Sequence, residues 1–273
     1  MSAAIERAGP WSKVRAIMAR DMRVTLSYPG NFALTWATIL VEVVVNWYIA
    51  QLVTSPVTVN GVAMPYFQYI SINSAFMRFQ TAALNSFAEA IRDAQLTGTL
   101  EMVLATPTRL PTLVLSSGLW SFALTSLQTI VFLAISLPFG LDLRHVNGLT
   151  ALVFLVLTVA SVSPLGVLAA ALSMVIKKTG PIEWISNSSA LLFGGVYFPL
   201  SRLPVGLQVV GWCLPITHSL NGFRAASVGA PLAQTAADAI WLLVASVVLM
   251  PLSLWIFTRA VRKARVDGTL AMY

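Results

Sequence analysis

A chain of 273 residues in which 57% of side chains are apolar and only 10% are charged is too poor in charge for a water-soluble globule, where about a quarter of residues are charged. Such a composition belongs in a membrane. The net charge of +7, from 17 Lys and Arg against 10 Asp and Glu, records topology and contact with anionic lipid in a chain this apolar, and not nucleic-acid binding. One cysteine, Cys213, excludes an intrachain disulfide or a cysteine-rich metal cluster and reads as a small packing residue.

Residues 1–30 carry Arg7, Lys13, Arg15, Arg20 and Arg23 without a short apolar core or a small-residue cleavage site, so they do not read as a signal peptide. From 11 to 28 the basic residues interleave with Val14, Ile17, Met18 and Leu26, the pattern of an amphipathic helix lying on a membrane surface. Apolar runs near 31–53, 67–90, 112–138, 149–176, 182–199 and 237–258 follow, and about 20 helical residues cross the ~30 Å hydrocarbon core. The chain is therefore expected to be an all-α integral membrane protein, a single domain of six transmembrane helices. The fourth run is interrupted by SVSPLG at 161–166, a proline kink whose freed backbone groups must be satisfied by neighbouring helices. After the fifth run, residues 200–232 are too short and too punctuated by Pro and Gly to span. They predict two short re-entrant helices in the outer leaflet.

Placing both termini in the cytoplasm puts thirteen Lys and Arg inside and only Arg144, Arg202 and Arg224 outside, with Arg78 within a span. That bias sets the expected orientation, multi-pass in the plasma membrane. Trp36, Trp47, Trp184, Trp212, Trp241 and Trp255 fall near the predicted interfaces, as expected of an aromatic belt.

Ionisable groups within spans are costly and face protein or water. In the second span Ser71, Ser74, Arg78, Thr81, Asn85 and Glu89 recur at steps of three and four, and in the first Thr35, Thr38, Glu42 and Asn46 do the same; each set forms a polar stripe on one helix face. At 1.5 Å per residue, Glu42 lies ~16 Å above Asn31 and Arg78 ~18 Å above Ala90, so an ion pair between the two stripes is expected. Two roles fit that pair: locking two helices together, or lining a substrate pathway together with Asn46 and Asn85.

Between the second and third runs lies RDAQLTGTLEMVLATPTR, residues 92–109. Leu96, Leu100, Val103 and Leu104 share one helical face, while Thr97, Gly98, Glu101 and Ala105 occupy another. Gly98 can cap the start and Pro107 stops the helix. Such an element can rest on lipid headgroups or dock into a groove on a partner. In the fifth run Ser188, Gly194 and Gly195 allow close helix approach, either at a subunit interface or within one chain. No GxxxxGK[ST] loop is present, since Lys177 stands where Lys177-Lys178-Thr179 would need a glycine, so the chain is not expected to hydrolyse ATP by that motif. His145 and His218 fall in predicted outer loops away from any carboxylate cluster and read as surface or capping residues. No catalytic, cofactor-binding or metal-binding residues are expected.

GTLEMVLATP at 98–107, GVYFPLSRLP at 195–204 and LPITHSLNGFR at 214–224, in that order on six spans, together resemble the permease subunits of type 2 ABC exporters. The resemblance implies a half-transporter that dimerises and works with a separate ATP-binding cassette subunit, which carries the ATP and magnesium. It further implies that 92–107 is a coupling helix seated on that ATPase through Gly98, Thr99, Leu100, Glu101 and Leu104. The substrate class is open among amphipathic molecules, lipids and glycans. The alternative is a secondary transporter or membrane enzyme using Glu42 and Arg78, against which stands the lack of matching broken helices in the two halves.

Overall fold

The computed structural model describes residues 19, 22–23, 27, 29–53, 55–59, 62–96, 110–176 and 180–266. The bounded helices are α1 Pro29–Leu52, α2 Tyr66–Leu96, α3 Leu110–Ser136, α4 Gly148–Ile176, α5 Gly180–Phe193, α6 Val205–Trp212, α7 Pro215–Ser227 and α8 Ala236–Val266. Among the described residues, four segments are long and apolar enough to cross a membrane: Ala33–Leu52, Trp120–Phe139, Gly148–Leu172 and Leu232–Lys263. α5, with 14 residues, covers about 21 Å and is too short by that measure. α2 has 31 residues, about 46 Å, but its Ser, Asn, Gln and Arg content sets it apart from the four.

Burial explains how so polar a helix is tolerated. α2 packs against α4, α3, α1 and α7, and α4 packs in turn against α8 and α7. Ile39 and Val43 of α1 meet Phe67 and Ala75 of α2 and Phe132 of α3 in one cluster. Phe76 of α2, Ala190 of α5 and Ile216 and Leu220 of α7 form a second. The peripheral helices do the reverse. Exposed Ile240, Leu243, Val244, Val247 and Val248 make one stripe along α8, and Leu34, Val41, Val45, Tyr48 and Leu52 make another along α1. At steps of three, four and seven these are continuous apolar faces turned outward, which lipid can cover and water cannot.

Several expectations change. The connection from α1 to α2 contains a two-stranded antiparallel hairpin, β1 Val57–Val59 and β2 Val62–Met64, with Val57 opposite Met64 and Val59 opposite Val62. The β-branched run VTV and the Asn60-Gly61 dipeptide between the strands are the sequence signal for such a turn. α4 is not broken at SVSPLG but runs on with Pro164 inside it, and nearby Ser161 donates to the Thr158 carbonyl at 3.2 Å. The fifth apolar run is helical only to Phe193, because Gly195 takes the left-handed conformation with φ 73°. α2 extends to Leu96 and so includes residues 92–96, which had been expected to begin the coupling helix. The rest of that helix, and nearly all of the expected interface helix at 11–28, lie outside the described residues. Cys213 is exposed, not packed inside.

Two short helices do occupy 200–232, but they differ in kind. α6 exposes Val205, Leu207, Val209, Val210 and Trp212, whereas ten of the thirteen residues of α7 are buried. α7 comes close to α4 because Gly222 has no side chain, and a Cβ there would overlap the Phe154 ring. Gly222→Ala is accordingly expected to lower stability by ~1–3 kcal/mol through overpacking. Thermal unfolding of the purified protein in detergent checks this, and Phe154→Leu in the same chain should restore part of the loss.

Candidate functional site

Two polar centres are built on α2. The first joins the stripes of α1 and α2. Arg78 Nη2 donates to Glu42 Oε2, one turn from a bond in which Asn46 Nδ2 donates to Ser74 Oγ at 3.0 Å. The Arg78 guanidinium also lies over the Phe132 ring of α3, 4.9 Å from its centre, so the cation touches three helices. Glu42 is more open than its partner, with 37% of its side chain exposed against 16% for Arg78. Asn85 continues the α2 face two turns on. Among the described residues its Oδ1, Arg78 Nε, Gln80 Oε1 and Ser71 Oγ are buried without a protein hydrogen-bond partner. Buried polar atoms of this kind are usually met by water or a ligand.

The second centre gathers around an arginine expected in the outer re-entrant helices at 200–232. Arg224 of α7 is 6% exposed. Its Nε donates to Asn73 Oδ1 of α2 at 2.9 Å, and an Nη2 proton goes to the Gly195 carbonyl. Its planar group lies 4.6 Å from the centre of the Tyr69 ring. The residues facing it are bonded to the same turn: Tyr69 OH donates to Gly195 O at 2.5 Å, Asn73 Nδ2 to Val196 O at 2.6 Å and Tyr66 OH to Tyr197 O at 2.9 Å. Gly195 is favoured here by its positive φ of 73°, which L side chains rarely adopt.

His218, nearly two turns earlier on α7, is also buried and not on a surface loop as expected. Its Nδ1 is 2.6 Å from Asp238 Oδ1 in the first turn of α8, its Nε2 is 2.9 Å from the Trp212 carbonyl, and its ring stacks on Trp241 at 4.3 Å. This residue therefore pins α6, α7 and α8 together.

The two centres thus lie within a helical frame that carries apolar outward faces. The family model described as ABC-2 family transporter protein matches residues 49–255, a span that begins late in α1 and ends within α8. The chain belongs to the ABC-2 transporter family. It is the membrane component of an ABC transporter, a family whose members work with an ATPase. No curated protein matches the chain.

Within this permease, sequence reasoning found the first centre and missed the second. Arg78 and Glu42 stood out because charge is rare in an apolar run. Arg224 sat in a short helix expected in the outer leaflet, where nothing marked its partners, and Tyr66, Tyr69 and Asn73 share a face of α2 at steps of three and four that the more obvious Ser71–Ser74–Arg78 stripe concealed. Gly194 and Gly195 are buried in the permease itself: a Cβ at Gly194 would meet Ala190 O at 2.5 Å and Ile216 at 3.0 Å. Ser188 is half-buried on α5. Gly98, Thr99, Leu100, Glu101 and Leu104 lie outside the described residues.

Removing one partner of the Glu42–Arg78 pair leaves the other charge partly desolvated. Glu42→Gln or Arg78→Gln is expected to cost the permease ~1–3 kcal/mol, less than for a fully buried pair because Glu42 is partly open. The charge-swapped double variant should recover part of that loss, measured as monodisperse yield and thermal stability in detergent.

Proposed function

We propose that the chain is the permease half of an ATP-driven exporter in the plasma membrane, with both termini cytoplasmic, acting as a homodimer on separate ATP-binding cassette subunits. The observation that carries this reading is the ABC-2 family match over residues 49–255, on a chain whose three motif stretches resemble those of type 2 exporters in order and spacing. Six spans follow if α2 and α5 cross along with the four apolar segments. α2 can do so because its polar groups face neighbouring helices, and a helix shielded in this way need not be apolar throughout. The strong bias of Lys and Arg toward one side supports the orientation.

In this reading, residues 97–107 between α2 and α3 form the input from the ATPase. ATP-driven closure of the partner subunits moves Gly98, Thr99, Leu100, Glu101 and Leu104, and the movement passes into α2, the helix that carries both polar centres. Glu42, Asn46, Arg78 and Asn85 line the pathway, where the unpartnered polar atoms of α2 leave sites for a polar portion of an amphipathic, lipid or glycan substrate. A second permease copy meets α5, whose exposed Trp184, Ile185 and Leu192 surround Ser188. Gly194 and Gly195 set the shape of that surface from within.

The test is capture of the partner. An ATPase encoded beside this permease should co-purify with it, and Leu100→Asp with Glu101→Arg should reduce the captured ATPase about tenfold or more, since burying a wrong charge at an interface costs several kcal/mol. Retention of the ATPase by a folded double variant rules out the coupling role.

A further inference from the structure

A cavity of about 470 Å³ opens between β1, the turn after α5, α6, α7 and the start of α8; its wall includes Tyr69, Trp212, Thr217, Asn221, Arg224 and Asp238. The charges on that wall can be counted from geometry. The Trp212 carbonyl only accepts hydrogen bonds, so His218 Nε2, 2.9 Å away, carries a proton. At 2.6 Å, His218 Nδ1 and Asp238 Oδ1 cannot oppose two lone pairs, so a second proton lies between them. Whichever atom holds it, the His218–Asp238 pair sums to zero charge. Among the described residues lining the cavity, that leaves the charge of Arg224 uncompensated.

Arg224 is also incompletely used. A guanidinium has five N–H donors; Asn73 takes the one on Nε and Gly195 takes one on Nη2. No carboxylate pairs with it among the described residues, although it is 6% exposed. A desolvated cation with spare, forked donors on a cavity wall fits a planar or tetrahedral oxyanion. The cavity's rim supplies the rest of a ligand's chemistry, because Trp212 continues into the exposed Val205 and Val209 of α6, an apolar strip beside a polar chamber.

We propose that this cavity is a binding site for the oxyanion head of an amphipathic molecule, seated on Arg224 with its apolar part along α6. The site is separate from the Glu42–Arg78 centre. Its assay needs no ATPase, so its outcome is independent of the exporter reading.

The purified permease in a neutral maltoside detergent is titrated calorimetrically with dihexanoyl phosphatidylglycerol, with inorganic phosphate, and with dihexanoylglycerol, which has the same chains and no phosphate. Phosphatidylglycerol is expected to bind and dihexanoylglycerol is not. Binding of inorganic phosphate as tightly as the lipid identifies a free oxyanion as the ligand; binding of the lipid alone identifies a headgroup, and either supports the site. Asn221→Asp sets a carboxylate on the wall without touching a bond of Arg224 and should weaken binding about tenfold or more. Thr58→Glu does the same from the exposed hairpin should Asn221→Asp fail to fold. The proposal is overturned if neither phosphate compound binds, if dihexanoylglycerol binds as well as phosphatidylglycerol, or if the folded carboxylate variant binds as the parent does.

Discussion

A polar side chain shut away from water must find its partner inside the protein, and α2 carries more such side chains than any other long helix among the described residues. Everything around it answers to that constraint. α1 meets it with Glu42 and Asn46, α3 with the face of Phe132, α7 with Arg224, and the turn after α5 with three backbone carbonyls. α8 and α1 turn long stripes of aliphatic side chains outward instead. The bundle is thus organised by polar contacts at its centre and by apolar faces at its edge, the inverse of a soluble helical domain.

The two centres on α2 differ in a way that bears on their roles. Glu42 and Arg78 form a pair whose acid is partly open, and several polar atoms near it lack protein partners. Arg224 is more deeply buried but has amide, carbonyl and aromatic partners in place of an acid. The first is an ion pair with one partner open to its surroundings. The second serves as a structural knot whose remaining donors face a chamber. α2 joins them, so displacing it along its axis would disturb both at once.

Much of this was legible in the sequence, and the rest was hidden for identifiable reasons. Composition and the run of basic residues point to a membrane bundle, and the 3.6-residue spacing of polar groups on the first two helices sets Glu42 opposite Arg78. The hairpin was encoded in VTVNGVAM but overshadowed by the helical frame on either side. α7 was expected as a short outer helix, but its burial went unread because it depends on partners distant in sequence: Asp238, Asn73 and the Gly195 carbonyl. Averaging over a window cannot register a polar residue whose counterpart is 150 residues away. The end of α5 escaped for the opposite reason, since GGVYF is apolar enough to prolong the run while Gly195 breaks the helix.

That early ending has a consequence. In an uninterrupted helix the carbonyls of Gly195, Val196 and Tyr197 would each accept a proton from the backbone four residues on. Here they accept from Tyr69 and Arg224, Asn73, and Tyr66 respectively. Side chains of α2 and α7 have replaced the missing turns of α5, so the far end of that helix is held in place by residues that belong to other helices. The turn that ends α5 is therefore tied to the positions of α2 and α7, a coupling that a helix bonded only to itself does not have.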